Sequence, residues 1–281
     1  MLKFTKMHGI GNDYVYINAI DQHIEDPNAL AKKLSDRRFS IGGDGVILIC
    51  SSDVADAKMR MFNADGSEGM MCGNGVRCVG KFVYDKGIVD KSKNVITIET
   101  LSGIKTLELT VVDSKAELLK VDMGKAILKT EDIPAVFDGC DTVVAQKLVV
   151  NNEEHIVTCV SMGNPHCVTF VDDVDNLELE KIGPYFENYP AFPQRINTEF
   201  VKVIDDHTLQ MRVWERGSGE TWACGTGACA TAVAACLNGY CKKGEDITVH
   251  LRGGDLIINY TDETVFMTGP ATTVFEGEIE V

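Results

Sequence analysis

Long apolar runs are missing from this sequence, and no stretch approaches the ~18–20 consecutive apolar residues that a membrane-spanning helix needs. The first residues, MLKFTKMHGIGNDY, also lack the apolar segment of a secretory signal peptide. These two absences argue against a membrane span and against secretion. We therefore predict a cytoplasmic protein with no membrane partner.

Basic residues are also scarce. The 27 Lys and Arg residues face 42 Asp and Glu residues, which gives a formal net charge of −15 at pH 7. Because nucleic-acid binding depends on clustered Lys and Arg, this balance excludes nucleic acid as an expected partner. The 281 residues, 44% hydrophobic and 25% charged, instead indicate a soluble globular protein with one large domain or two of ordinary size.

Metal-ligand spacing is absent although the chain has ten cysteines. No Cys-x-x-Cys pair exists and the six histidines are scattered, so we expect no metal site. Without a secretory signal, the thiols should be reduced. Six of them lie in apolar segments and are predicted to be small core residues: Cys50, Cys140, Cys159, Cys167, Cys236 and Cys241.

A nucleotide-binding loop is absent as well. The segment GGDG at 42–45 is not followed by the dinucleotide fingerprint, and the lysine of a phosphate loop is missing. No recognisable phosphate loop stands ready for pyridoxal phosphate either. We therefore expect no cofactor.

What the sequence does contain is an internal repeat at an offset of 152 residues, which brings Cys72-Gly73 onto Cys224-Gly225 and Gly75 onto Gly227. A constant register over so long a span predicts two homologous halves. Three further matches share that offset: Gly11-Asn12 with Gly163-Asn164, Met59-Arg60 with Met211-Arg212, and Glu68 with Glu220.

Each half shows the same order of local patterns. Short β-rich runs precede a Gly-rich turn and a helix, at about 74–86 and about 226–238, and further strands follow. A third helix is predicted at about 177–188, and the halves should meet at about 120–130, where periodicity is lost. Two such α+β halves predict a ligand site in a cleft between them, although a duplicated fold without a shared site stays possible.

Cys72 and Cys224 each precede a glycine-rich helix start. Unpaired N–H groups and a partial positive charge at a helix N-terminus favour a thiolate, so we expect each thiol pKa to fall from ~8.5 towards neutrality. The glycines let N–H groups approach an anion such as a carboxylate. Two such acid–base groups suit racemisation or epimerisation, in which one takes a proton from a carbon and the other returns one to the opposite face.

Two other interpretations of these cysteines remain open. A single buried, inert cysteine at a glycine-rich turn is common, although the repetition argues against it. A redox protein would use Cys72 with Cys78 or Cys224 with Cys229, but the spacing is not Cys-x-x-Cys, and Cys78 and Cys229 fall inside the predicted helices.

Matched polar residues surround the cysteines in the alignment of the halves. Asn12 matches Asn164, and Asn63 matches Glu215, which favours hydrogen-bonding groups around one ligand. The symmetry is broken where Asn197 matches Gly45, Arg216 matches Ala64 and His166 matches Tyr14. Glu215 and Arg216 could instead be a surface ion pair, and His166 could be structural.

At these residues the sequence resembles the diaminopimelate epimerases. The segments KMHGIGNDY, FNADGSE, MCGNGVRC, SMGNPHC and WERGSGETWACGTGAC follow the family's order across nearly the whole chain. The resemblance implies interconversion of LL- and meso-2,6-diaminopimelate without pyridoxal phosphate or metal, in lysine and cell-wall biosynthesis, by a homodimer. It also implies two similar α/β domains, 1–122 with a C-terminal strand in 268–281 and 123–267, each a barrel-like sheet around a central helix.

The resemblance assigns a role to each candidate residue. Cys72 and Cys224 become the two bases, and His166 and Glu215 the groups that tune them. Gly45 replaces a Gln of some family members, so water or a neighbour must fill that space. The implied substrate-binding set is Asn12, Asn63, Gly73, Asn74, Asn164, Asn197, Glu215, Arg216, Gly225 and Thr226, with Asn63, Asn164, Asn197 and Arg216 at the distal centre.

Two alternatives accompany this expectation. Proline racemase and its relatives share the two-cysteine design but typically carry His where this motif has Asn74. A relative that only binds an amino acid is the alternative outside enzymes, and the presence of both thiols disfavours it.

Overall fold

A computed structural model describes all 281 residues. It contains eighteen β-strands and four α-helices, which confirms the predicted mixed α/β class. None of the four helices combines the length and the apolar character that a membrane crossing requires.

The chain divides into two compact units, Met1–Asp122 with Thr268–Val281 and Met123–Met267. In chain order, the first unit contains β1 (Leu2–Gly9), β2 (Asn12–Asn18), α1 (Pro27–Ser35), β3 (Gly45–Cys50), β4 (Ala57–Asn63), β5 (Glu68–Gly69), α2 (Gly73–Asp85), β6 (Val95–Thr100), β7 (Gly103–Val112) and β8 (Lys115–Asp122). The second contains β9 (Gln146–Val150), β10 (Glu153–Ser161), β11 (Pro165–Phe170), α3 (Leu179–Glu187), β12 (Asn197–Asp205), β13 (Thr208–Glu215), β14 (Gly219–Thr221), α4 (Gly225–Leu237), β15 (Asp246–Leu251), β16 (Gly254–Tyr260) and the start of β17 (Val265–Pro270). The last strand, β18 (Thr272–Ile279), belongs to the first unit.

In the first unit, β18 pairs antiparallel with β1, and β1 with β2. The sheet continues through a parallel β2–β3 pair, an antiparallel β3–β4 pair and a parallel β4–β6 pair to the antiparallel β6–β7–β8 strands. Helix α2 contacts β1, β2, β4, β6 and β8, so the sheet curves around it. Almost every residue of α2 is buried, as expected of a helix enclosed on all sides.

The second unit repeats this arrangement. Its antiparallel β9–β10–β11 strands continue through a parallel β11–β12 pair, an antiparallel β12–β13 pair and a parallel β13–β15 pair to β16. Helix α4 contacts β10, β11, β12, β13, β15 and β16 and is buried along most of its length. Each unit therefore presents the start of one central helix at an equivalent place in its own sheet.

The predicted helices lie within about two residues of the observed ones, but the pattern missed α1. At the repeat offset, α1 falls on α3, which was predicted, so the repeat itself carried the missing signal. Local chemistry explains where α1 begins: the Asp26 side chain caps the helix by accepting from Ala29 N at 3.0 Å, and Pro27 occupies the first turn. Six strands were also not predicted: β1, β5, β7, β9, β10 and β14.

Candidate active site

Cys72 is the N-cap residue of α2, and its sulphur accepts the capping hydrogen bond that a Ser or Asp oxygen usually accepts at this position. Its backbone is extended, and Sγ accepts a hydrogen bond from Gly75 N at 3.3 Å. The thiol donates to Asn12 Oδ1 at 3.2 Å and is half-buried. Gly73 and Asn74 form the first turn, and the N–H groups of a first turn point out of the helix end. The half-buried sulphur therefore lies beside donors suited to an anion.

Asn12 is held in place by a residue that the sequence analysis did not single out. Its Nδ2 donates to Asp44 Oδ2 at 2.7 Å, and the same carboxylate oxygen accepts from Asp13 N at 3.1 Å. Arg37 anchors the other oxygen of Asp44 at 2.9 Å. Asp44 lies in the GGDG segment, which the sequence does not support as a nucleotide-binding loop. The sequence analysis therefore assigned no role to the Asp44 carboxylate.

The other candidates of the first unit are partly engaged. Asn74 is buried, and its Oδ1 accepts from the guanidinium of the fully buried Arg77 at 2.9 Å. Asn63 is half-buried and donates to Ser67 Oγ at 3.0 Å. At Gly45 a Cβ would lie 2.1 Å from the carbonyl oxygen of Phe62 and 3.0 Å from the Tyr14 ring. Neighbouring atoms therefore fill the space that a side chain would take at this position.

Cys224 repeats the geometry of Cys72 at the start of α4. Its Sγ accepts from Gly227 N at 3.3 Å and lies 3.6 Å from Thr226 Oγ1, while Gly225 forms the first helical residue. Unlike Cys72, this thiol is buried, with 4% of the residue exposed. Burial, reinforced by the nearby carboxylates, raises the Cys224 pKa well above its usual range. The expectation of a lowered pKa was therefore wrong for Cys224, because desolvation outweighs the helix N-terminus.

Glu215 lies against Cys224 and does not pair with Arg216. One carboxylate oxygen of Glu215 accepts from Thr221 Oγ1, and burial raises the Glu215 pKa although hydrogen bonds oppose the shift. The half-buried Arg216 guanidinium donates to Gln194 O at 2.9 Å instead. The surface ion pair considered for these residues is therefore wrong. Glu215 is the last residue of β13 and Arg216 begins the turn that follows, so the two side chains leave the chain at different points of its path.

His166 lies fully buried between two oxygen atoms. Its Nδ1 is 2.7 Å from Glu199 Oε1, and its Nε2 is 3.1 Å from the Asn164 side-chain oxygen. Glu199 is also fully buried and was not predicted as a site residue. The structure therefore places a buried carboxyl group behind the histidine that the resemblance assigns to tuning.

Asn197 has both ends of its side-chain amide bound to backbone. Nδ2 donates to Pro165 O at 2.7 Å, and Oδ1 accepts from Arg216 N at 2.9 Å. With 4% of the residue exposed, Asn197 holds the chain that carries Arg216.

The remaining cysteines give no redox pair near these sites. None of the ten cysteines forms a disulfide, and Cys78 and Cys229 are fully buried within α2 and α4. Of the six cysteines predicted to lie in the core, three are buried (Cys159, Cys167 and Cys241) and three are only half-buried (Cys50, Cys140 and Cys236). The prediction of a core position was therefore wrong for Cys50, Cys140 and Cys236, because apolar neighbours in the sequence do not determine how deeply a residue is buried.

One group of side chains has the elements of a metal site: donor atoms of His166, Glu199 and Cys224 lie within 4.8 Å of one another. However, Nδ1 of the imidazole is already bonded to the carboxylate at 2.7 Å. Because the imidazole and the carboxylate already satisfy each other, the donors fit a hydrogen-bonded pair beside a thiol better than a coordination sphere.

Comparison with known proteins identifies the family. A family model described as diaminopimelate epimerase matches residues 4–129 and 158–274. The diaminopimelate epimerase of Methanococcus maripaludis strain C5 is 58% identical over 282 aligned residues that cover all of both chains. That of Acetivibrio thermocellus is 57% identical over 282 residues, covering 100% of this chain and 99% of the relative.

A solved structure of low sequence identity has a similar fold. A hydroxyproline epimerase from Agrobacterium vitis, with bound trans-4-OH-L-proline, superposes with a TM-score of 0.70 at 12% identity, covering 99% of this chain and 90% of that one. At such low identity the likeness shows the fold alone, whereas the two full-length relatives and the family model show the family. The chain therefore belongs to the diaminopimelate epimerase family of isomerases.

Proposed function

We propose that this protein interconverts LL- and meso-2,6-diaminopimelate by a two-base mechanism. Cys72 and Cys224 act on opposite faces of one carbon: the thiolate of one removes the α-proton, and the thiol of the other returns a proton. The roles exchange in the reverse direction. The observation that carries the proposal is the same N-cap geometry in both units, in which each sulphur accepts an N–H at 3.3 Å.

The helix starts supply the second part of the chemistry. Removal of the α-proton places negative charge on the substrate's carboxylate, and N–H groups at a helix N-terminus stabilise such charge. We assign this role to the first turns of α2 and α4, through Gly73-Asn74 and Gly225-Thr226. Support comes from the cysteine caps, in which each sulphur accepts the third N–H of its helix and so lies beside the first turn.

The distal amino-acid group of the substrate needs charged and polar partners of its own. We assign Arg216 to the distal carboxylate, because its guanidinium can grip a carboxylate with two hydrogen bonds and here bonds only a backbone carbonyl. The distal group's other partners in this proposal are Asn63, Asn164, Asn197 and Glu215. Asn12 contacts the Cys72 thiol and is assigned to the reacting end.

Asn197 requires a narrower role within this proposal. Its side-chain amide already binds Pro165 O and Arg216 N, so its contribution is chiefly to hold Arg216 for the substrate. The two nitrogens of His166 face Glu199 and Asn164. In this proposal His166 tunes the cysteines and does not exchange protons with substrate.

The proposal includes cofactor independence, because two thiols and two helix starts together supply an acceptor, a donor and stabilisation of the carbanion. Activity should survive chelation and carbonyl-directed reagents and should fall on thiol alkylation. Loss of activity together with a stoichiometric metal would contradict this part. Cytoplasmic location, a homodimeric state and a place in lysine and cell-wall precursor biosynthesis complete the proposal and follow from the family alone.

The direct test is incubation of the purified protein with LL-diaminopimelate, followed by optical rotation. Because the meso product is optically inactive, rotation should decay towards the value set by the equilibrium mixture. Unchanged rotation with LL-diaminopimelate, but decay with L-proline, would favour the proline racemase alternative. Binding of diaminopimelate without any decay would favour a non-catalytic binding protein.

A further inference from the structure

Glu199 is a buried acidic group for which the proposed reaction has no direct use. It lies on β12, two residues after Asn197 and therefore on the same face of the strand. Its side chain is fully buried, Oε1 bonds His166, and Oε2 has no hydrogen-bond partner. A carboxylate with one unsatisfied buried oxygen is costly, which indicates that its position serves a purpose beyond packing.

The start of α4 is shaped to admit this carboxylate. A Cβ on Gly227 would lie 2.7 Å from Glu199 Oε1 and 3.1 Å from Cys224 Sγ. Only glycine therefore lets the carboxylate lie against the turn that carries the thiol. The oxygen that lies against this turn is the same one that bonds His166.

The first unit has an apolar side chain at the equivalent place. At the repeat offset Glu199 falls on Ile47, and a Cβ on Gly75 would lie 2.8 Å from Ile47 Cδ1. The same offset matches His166 with Tyr14. The two units thus share a cysteine N-cap and differ in the pair of side chains beneath it.

We propose that Glu199 is a positioning residue that makes the two cysteines unequal. Through Nδ1 it fixes His166, and by lying against the start of α4 it keeps Cys224 protonated at rest. Cys224 is then the proton donor of the resting enzyme and Cys72 the acceptor. This inference rests on the proposed two-base function.

The charges around Cys224 support this assignment. Glu215 on β13 and Glu199 on β12 both add to burial in raising the Cys224 pKa, and the Thr226 hydroxyl and Gly227 N–H oppose the shift. His166 is the basic side chain of the cluster. The proposal takes Glu199 as a carboxylate, whose oxygens only accept, and therefore places the proton of the His166–Glu199 bond on Nδ1.

The same carboxylate acts on a second thiol. The pKa of Cys167 is raised by its neighbour Cys159, by burial and by Glu199. Removing the Glu199 charge should therefore ease ionisation of Cys167 and Cys224 and leave Cys72 unaffected.

The test is the pH dependence of thiol alkylation by iodoacetamide, read peptide by peptide by mass spectrometry without substrate. In the wild type, Cys224 should react with a midpoint above ~8.5, the value of a free thiol. In Glu199→Gln, which keeps the shape of the side chain, that midpoint should fall by about one pH unit, equivalent to about tenfold faster alkylation at pH 8. The Cys72 midpoint should not move.

Asp85→Asn is the matched control, since Asp85 is also a largely buried carboxylate but lies at the far end of α2. It should leave the Cys224 midpoint unchanged. The inference is overturned if Glu199→Gln leaves the Cys224 midpoint in place, or shifts Cys72 equally.

Two further measurements keep the inference testable. If Glu199→Gln does not fold, the imidazole ¹⁵N spectrum of the wild type decides: a proton on Nε2 alone at His166, assigned with His166→Gln, contradicts the proposed bond. Alkylation needs no turnover, so a wild type inactive on diaminopimelate would refute the proposed function while leaving the position of Glu199 separately measurable.

Discussion

The backbone N–H of Gly227 donates to Cys224 Sγ at 3.3 Å, and this glycine leaves no space for a side chain. A Cβ there would meet the sulphur at 3.1 Å and Glu199 Oε1, itself fixed by a histidine, at 2.7 Å. At the equivalent Gly75, the nearest atoms to a Cβ are the flexible ends of apolar side chains, beginning with Ile47 Cδ1 at 2.8 Å. The equivalent positions Gly75 and Gly227 thus differ in how well they would tolerate a side chain.

We therefore expect Gly227→Ala to lower the free energy of unfolding by about 1–3 kcal/mol through overpacking. Gly75→Ala should cost less, because the apolar side-chain ends near it can move, whereas the gain in helix propensity, up to about 1 kcal/mol, is the same in both variants. Urea denaturation of both variants provides the comparison. An equal or larger loss in Gly75→Ala would show that the carboxylate does not restrict the helix start.

Substitution of either cysteine should abolish epimerisation. Cys72→Ala and Cys224→Ala each remove one proton donor or acceptor, so one face of the carbon is left without chemistry. Cys→Ser should also be severe, because a hydroxyl is a far weaker acid at neutral pH. Turnover is measured by optical rotation, with Cys50→Ala as a control cysteine outside the site. Near-native turnover in either Cys72→Ala or Cys224→Ala would end the two-base account.

An ion pair with equal geometry in both units offers a test of stability against pH. Arg212 Nε donates to Glu220 Oε1 at 2.8 Å, as Arg60 Nε does to Glu68 Oε1. Burial would raise the Glu220 pKa, but bonds from Arg212 and Arg252 outweigh it and lower that pKa below its usual 4.5. A lowered folded-state pKa stabilises the protein above the unfolded value, and this stabilisation is lost as pH falls through the folded value.

Glu220→Gln should therefore lower the free energy of unfolding by about 2 kcal/mol at pH 7. The difference from the wild type should shrink as pH falls below 4.5 and vanish below the folded-state pKa. Urea denaturation across pH 7 to 3 measures it. A difference that stays constant over this range would mean that the charge of Glu220 contributes nothing.

Local patterns predicted the features of the site that local chemistry determines. Glycine-rich turns after Cys72 and Cys224 gave helix starts within one residue, because capping and glycine conformation depend on neighbours in the chain. The repeat offset also identified equivalent positions, although it was not used to find α1. Mixed α/β structure followed from the alternation of strand and helix patterns.

Features set by tertiary contacts escaped the sequence analysis. Glu199 reaches His166 only because β11 and β12 pair in parallel, with His166 opposite Asn197. The direction of the Cys224 pKa shift depends on burial, which no local motif reports. Asp44 was visible in GGDG, but its contact with Asn12 crosses 32 residues of chain. Such contacts are fixed by strand register rather than by motif.

Arg216 should decide which substrate is accepted. Diaminopimelate has a second carboxylate, and lysine and proline do not, so either would leave the Arg216 guanidinium without a carboxylate partner. Mismatches of this kind can cost ~10⁴-fold or more in discrimination. We expect activity on LL- and meso-diaminopimelate and essentially none on lysine or proline.

Arg216→Met should accordingly lower kcat/KM for diaminopimelate by orders of magnitude while the chain stays folded. The control is Arg38→Met, since Arg38 is exposed and has no role in the site. Normal activity of Arg216→Met, or comparable racemisation of proline or lysine by the wild type, would refute the distal-site assignment.

The central claim is that two different groups handle the proton on opposite faces of one carbon. Incubation of the wild type with LL-diaminopimelate in D₂O, sampled over the first turnovers, tests it most directly. Because the accepting thiol keeps the substrate's proton while the donating thiol carries solvent deuterium, mass spectrometry should find deuterium in the meso product and none in recovered LL substrate. Early deuterium in the recovered substrate would contradict the account, since it would show one exchangeable base serving both faces.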